Sequence, residues 1–322
     1  MRSLRRALLS LAVLSVVMRT TGAAATESLP GSDLPDVEEP APGESPAPAV
    51  PVPAKASPYS LPWHLRPAVA VSAMRSDTAV AFQDVSQTVV TFLSASWKIV
   101  PDVAISARYG WVYDTPKSEP TRDAFTNLGL AGLYAPKLTN AFRLALSGGV
   151  VLPTAQGGGG APDPGEQKAI ASGSYARSAM DNAMFAANDL SLFAGLALAY
   201  VENGVTLQLE ATFFLLAREK GGASQRDTLK ANTTWAAHVG YYIVPALSIG
   251  GELRYQDFIA PPQGIKNKPE RRDASTAAIG LRGHFKLGDH SFHPGVAYAH
   301  PLDDPMAAAG YRIVQVDLPF VF

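Results

Sequence analysis

The sequence predicts an all-β protein, an antiparallel transmembrane β-barrel of about twelve strands behind a disordered, Pro-rich N-terminal segment. Three observations carry that prediction. The last stretch, Gly310 to Phe322, alternates with period two: Val314, Val316, Leu318, Phe320 and Phe322 fall on one fully apolar face, while Ile313, Gln315, Asp317, Pro319 and Val321 take the other. Runs of ten to fourteen residues with the same alternation recur from Trp63 onward, each bounded by turn residues. Between them, short and long connections alternate, as an antiparallel meander gives when one rim carries tight turns and the other exposed loops.

Taken in order, the chain of 322 residues opens with Arg2, Arg5 and Arg6 before an apolar run from Ala7 to Met18, then Ala23-Ala24-Ala25. This is the pattern of a signal peptide over residues 1–25, cleaved after Ala25; an uncleaved anchor is the other reading, for which the run is short. Removing Arg2, Arg5, Arg6 and Arg19 leaves 27 − 4 = 23 basic against 28 acidic side chains, a net charge of −5. Such a balance argues against nucleic acid as a partner. Cysteine is absent, so disulfides, thiolate metal sites and cysteine nucleophiles are excluded. Residues 26–62 carry a proline every few positions from Pro30 to Pro58, with Asp33, Asp36, Glu38, Glu39 and Glu44 among them. Fixed φ angles, missing donors and like charges make this a semi-extended linker, either a plain tether or a spacer with a periplasmic contact.

The barrel is expected over 63–322, with strands near 66–75, 87–97, 102–114, 124–134, 141–153, 184–200, 204–217, 229–243, 247–258, 273–287, 290–300 and 310–322. Short turns fall at 99–101, 135–140, 202–204, 244–246 and 288–289, and longer polar loops near 76–86, 115–123, 154–183, 218–228, 259–272 and 301–309. After the first twenty residues no run of eighteen apolar residues occurs, so a membrane crossing would use strands. An even strand number puts both ends of the barrel on the short-turn side, the periplasmic one, and Pro319 near that rim, where a lost ladder bond can be rewetted. Aromatics gather at strand ends: Trp97, Tyr134, Tyr200, Tyr241, Phe320 and Phe322 at the short-turn end, Trp111, Tyr113, Tyr255 and Tyr311 at the other. Two girdles at the two bilayer interfaces are the expectation.

The terminal Phe322 and its alternating strand resemble the closing strand of bacterial outer-membrane β-barrels. That resemblance implies outer-membrane localisation in a Gram-negative bacterium and recognition of the last strand by the barrel-assembly machinery. Leu152-Pro153-Thr154 at a strand end, preceded by a Gly-containing strand, resembles the outer-membrane channels of the meta-pathway of phenol degradation family; Ala155 replaces the glycine of that pattern, and glycines start at Gly157. The resemblance implies passive transport, with apolar or aromatic molecules among the solutes.

Taking the polar face as the lumen collects Arg108, Arg143, Glu210, His238, Glu252, Arg254, Arg282, His284, Lys286 and Asp317, with Phe125, Phe193, Phe214 and Tyr242 also inward. Charges of both signs can form a selectivity ring for small solutes, with Arg108, Arg143, Arg254, Glu210 and Glu252 at a constriction, or can pair and close the interior. The loop from Thr154 to Ala183, with a short helix between Tyr175 and Ala187, either folds inward or lies outside. The expected function is a passive channel for small solutes; a structural or partner-binding barrel with an occluded lumen is the alternative. Ser291 and His293 share a strand face, as a nucleophile and its base must, but their context does not build an outer-membrane phospholipase site, so no enzyme is expected. His284, His290 and His293 could gather a metal, but lone rim histidines more often just meet water, and no metal or cofactor is expected.

Overall fold

The computed structural model describes residues 68–221, 228–268 and 271–322. The expected signal peptide and Pro-rich linker, with residues 63–67, lie outside them. Among the described residues, twelve antiparallel staves form one closed sheet. They are β1 (Ala73–Phe82), β2 (Ser86–Val100), β3 (Val103–Pro116), β4 (Arg122–Phe125 continued by Leu128–Tyr134), β5 (Phe142–Leu152) and β6 (Asp189–Glu202). The second half comprises β7 (Val205–Arg218), β8 (Leu229–Val244), β9 (Leu247–Ala260), β10 (Asp273–Gly283 continued by Phe285–Leu287), β11 (His290–Phe292 continued by Gly295–Pro301) and β12 (Arg312–Val321). Each stave pairs with the next, and β1 pairs with β12 from Ala73↔Val321 to Phe82↔Arg312, which closes the barrel and leaves no sheet edge.

The two-residue period explains why this sheet closes in lipid. Every stave turns at least one large apolar side chain outward and exposed, from Met74, Leu93 and Ile105 through Leu196 and Trp235 to Ile279 and Leu318. An apolar belt running around the whole molecule is incompatible with a surface facing water and matches hydrocarbon. The opposite positions carry mostly small or polar residues, with larger apolar ones such as Phe92, Val112, Phe193 and Ile313 buried among them. Between β4 and β5 the wall also needs glycine: a Cβ on Gly149 would come 2.1 Å from the Leu130 carbonyl oxygen. At the short-turn end, Asn203 and Gly204 both have positive φ (52° and 79°), the geometry of a two-residue hairpin turn that follows strand twist.

Five expectations are corrected. The first strand is not 66–75 but Ala73–Phe82, and the loop expected over 76–86 shrinks to residues 83–85. Ser76-Asp77-Thr78 looks like a turn in sequence, yet Asp77 is an inward stave residue whose ionic partner, Arg177, comes from a loop a hundred positions on. Phe125 is not inward. The pairing Trp111↔Phe125 on one side of Thr126-Asn127 and Arg108↔Gly129 on the other differs by one residue, so the facing flips across the break. Phe125 therefore stacks on Tyr109 outside, ring centroids 5.6 Å apart. Tyr311 is buried against Tyr175 rather than in a girdle, and Lys286 is exposed at the rim rather than lining the lumen.

The last correction is the helix. Instead of Tyr175–Ala187, the long loop 153–188 forms α1 (Pro164–Ala176) and a single turn, α2 (Asn182–Phe185). Asp163 caps α1 by accepting from the Glu166 N–H at 3.0 Å, and Pro164 occupies the first turn, where no donor is needed. Ala169, Ile170, Gly173 and Ala176 form its buried stripe, packed on the inner wall of β1 to β4. A Cβ on Gly173 would stand 2.6 Å from Val112 Cγ2, so glycine sets how closely the helix approaches the wall. The long loop is thus inside the barrel.

Candidate functional site: a plugged lumen

Where the chain enters and leaves the plug, one side chain holds it. Asn127, fully buried at the break in β4, donates from Nδ2 to the carbonyls of Ala183 (2.8 Å) and Ala186 (2.9 Å), while its Oδ1 accepts from the Ala155 N–H (2.8 Å). Thr154 Oγ1 accepts from the Leu128 N–H at 2.9 Å. The Leu152-Pro153-Thr154 segment is therefore the hinge at which the loop turns inward, and Ala155 is buried beneath it.

Charge fixes the rest of the plug. Arg177, 1% exposed, makes paired 2.8 Å bonds to both oxygens of Asp77 on β1 and a 3.2 Å bond to Asp181. Asp181 in turn accepts from both terminal nitrogens of Arg108 on β3, at 2.8 and 3.1 Å. On the other flank, Asp77 lies 3.7 Å from Arg75, which reaches Asp317 at 2.5 Å, and Asp317 accepts from Arg282 at 2.7 Å. Seven charges of alternating sign, Arg282, Asp317, Arg75, Asp77, Arg177, Asp181 and Arg108, so run from β10 across β12 and β1 into the plug and back to β3. The Phe92 ring lies under two of them, with Arg108 at 3.9 Å and Arg177 at 5.2 Å from its centroid. Burial alone would raise the Asp181 carboxyl; Arg108 and Arg177 override it and hold it well below the usual carboxylate range.

The residues expected at one constriction are thus distributed over separate places. Arg108 belongs to the latch, as do Arg282 and Asp317. Glu210, His238, Glu252 and Arg254 lie together on the inner face of β7 to β9, with Glu252 3.3 Å from Arg254 and 3.5 Å from His238. Gln208, His238 and Glu252 share one cross-strand row there, and Glu210 and Arg254 flank Ala236 in the next. Arg143 sits apart, at the short-turn mouth beside the bridge Lys137↔Arg143. Phe193 and Phe214 do face inward, tilted at 5.7 Å, and with Val151, Ala131 and Met184 they line a small open recess whose polar lip is the Arg108–Asp181 pair.

The short-turn mouth is narrowed as well. Ala68 and Ala70, just ahead of β1, are buried against Ala104, Ala135, Ala145, Ala197, Ala199 and Val201 on the inner wall of β3 to β6. Small side chains on that wall leave room for a segment of backbone. Of the girdle residues, Trp97, Trp111, Tyr134, Tyr241 and Phe322 are exposed on the outer face, Tyr200, Tyr255 and Phe320 partly so. Trp97 packs edge-on against Phe322 at 6.3 Å, across the closing seam. Ser291 Oγ and His293 Nε2 do meet, at 3.0 Å, but the other nitrogen of His293 faces His284 rather than a carboxylate.

A closed twelve-stranded barrel with a lipid-facing belt, a polar interior and an inserted loop has the architecture of outer-membrane β-barrels. No protein-family model and no curated protein matches the sequence. Among solved structures, the fold is similar to that of the COG4313 outer membrane channel from Pseudomonas putida F1, with TM-score 0.53 and 10% identity over 79% of this chain and 96% of that one. Weaker likenesses include the NanC porin (TM-score 0.47, 10% identity, 77% and 98% covered) and the β domain of the Bordetella autotransporter BrkA (0.44, 12%, 79% and 99%).

Proposed function

We propose that the protein is a passive outer-membrane channel for small solutes whose resting state is closed by its own long loop. One observation carries this reading: the lumen beside β1 to β4 is occupied by a separate helical segment held to the wall through ionic and hydrogen bonds, while the wall's own charged side chains gather on β7 to β9. A barrel meant only as a scaffold would fill its interior from the staves. The apolar recess beside a polar lip supports amphipathic solutes, aromatic ones included, in keeping with the Leu152-Pro153-Thr154 resemblance. The same reading puts the termini and the short turns in the periplasm, the Pro-rich linker there as a tether, and Phe322 with the assembly machinery. Ser291 and His293 enter no hydrolytic step in it.

Planar-bilayer recording of the purified chain tests the proposal. Replacing residues 158–186 by a short Gly-Ser bridge is expected to convert rare openings into steady ohmic current; a loop-deleted barrel without current would leave the occluded, partner-binding barrel instead. In the loop-deleted background, Glu210→Lys with Glu252→Lys is expected to shift ion preference from cations towards anions, because β7 to β9 then form the free wall of the path. Unchanged reversal potentials would show that these carboxylates do not line it.

A further inference from the structure

We propose a transition-metal site at the short-turn mouth, built from His284, His293 and Tyr242. His284 lies in the break of β10 and His293 in the break of β11, and the interruptions let the His284 ring turn towards Tyr242 at the end of β8 and the His293 ring towards His284. His284 Nδ1 stands 3.1 Å from His293 Nδ1 and 3.2 Å from the Tyr242 hydroxyl. An imidazole nitrogen has one in-plane position, filled by a proton or by a lone pair, so a single Nδ1 cannot make a full hydrogen bond to both. A cation in that position would bind all three donor atoms at once. Ligands about 2.0–2.1 Å from a shared metal stand roughly 2.9–3.4 Å apart for angles between square-planar and tetrahedral, which brackets the spacing found here.

The surroundings fit the same purpose. His284 Nε2 lies 2.8 Å from Ser248 Oγ and His293 Nε2 lies 3.0 Å from Ser291 Oγ, so both rings are oriented from behind, as imidazole ligands usually are. When these serines accept, both Nδ1 lone pairs point at each other, an arrangement that a cation between them stabilises. Arg282 fixes the His293 backbone through a 2.7 Å bond to its carbonyl, and its charge is balanced by Asp317. Ser291 next to His293, suggestive of a nucleophile in sequence, becomes an orienting group. His290 is not part of the site; its ring packs on Phe320. No group of three His, Cys, Asp or Glu gathers among the described residues, so two imidazoles and a phenol make an open site suited to Cu²⁺ or Zn²⁺, with positions left for water or a solute.

Metal-stripped full-length protein without a histidine tag, folded in detergent, is titrated with Cu²⁺ and separately with Zn²⁺. The expected result is one equivalent of micromolar affinity and a Cu²⁺ spectrum split by two nitrogens. Affinity should fall about ten-fold or more in His284→Ala and in His293→Ala, fall several-fold in Tyr242→Phe, and stay unchanged in His290→Ala. Heat-modifiable mobility checks that each variant still forms the barrel. If a histidine variant does not fold, the wild-type spectrum decides: two coupled nitrogens uphold the site, and none overturns it. Binding that survives loss of His284, or no binding below millimolar metal, would mean a hydrogen-bonded histidine pair only.

Discussion

Arg177→Met is expected to turn a mostly closed barrel into a conducting one. The guanidinium is 1% exposed and bridges Asp77 to Asp181, so its loss strands two carboxylates that were desolvated in its company. Breaking a buried pair from one side costs about 3–5 kcal/mol. Here Arg75 and Arg108 compensate the two carboxylates in part, which puts the effect near the lower figure, or roughly a hundred-fold in the closed-to-open ratio at about 1.4 kcal/mol per decade. Single-channel open probability reads it directly. The exchange Asp77→Arg with Arg177→Asp restores the pair with its direction reversed, and should recover part of the closure that each single change loses. Wild-type open probability in Arg177→Met would overturn the latch. The pH dependence follows from Asp181, whose folded carboxyl is held low by Arg108 and Arg177. A depressed folded value means that its stabilisation is fully present above the unfolded value of about 3.9 and is lost only as pH falls through the lower, folded one. Open probability should therefore stay flat from pH 8 to about pH 4 and rise only in stronger acid.

What the sequence made legible is what repeats. Alternation with period two exposes the facing of β3, β7 and β12 directly, because each Cβ must point to one side or the other and lipid tolerates few polar exceptions. Eleven of the twelve staves lie where that pattern puts them. The exception, β1, carries Ser76 and Thr78 on its outer face and Arg75 and Asp77 among alanines on its inner one, so polar residues on both sides let neither announce itself, and its identity depends on Arg177 and Asp317 far away. Phe125 shows the matching limit: parity carries across a stave only while the pairing is unbroken, and Thr126-Asn127 breaks it for the sake of the plug. The functional core was the least visible part. Arg177 and Asp181 sit in an aperiodic loop, and a loop arginine has no period to betray that it will be among the most buried charges of the described residues. An Asp163-Pro164 cap followed by Ala169, Ile170, Gly173 and Ala176 was the available signal for α1, and it also suggests a helix that packs closely against something.

Asn127→Leu is expected to release the plug without opening the barrel wall. Its amide serves the Ala155 N–H and the carbonyls of Ala183 and Ala186, all within 2.9 Å, and leucine supplies none of these bonds. Buried backbone groups left without partners cost about 1–3 kcal/mol each, so three of them exceed what a single latch contact contributes. The outer face of β4 is untouched, so heat-modifiable mobility should be preserved while trypsin gains access to the bond after Arg177, which the seated plug protects. Mass spectrometry of the nicked chain locates that cut. Asn127→Asp separates hydrogen bonding from shape: it keeps the size of asparagine but sets carboxylate oxygens against the two carbonyls. If the amide acts as a donor, Asn127→Asp is cleaved as readily as Asn127→Leu; if residue 127 only fills space, Asn127→Asp stays as resistant as the wild type, and the plug is held by the ionic chain alone.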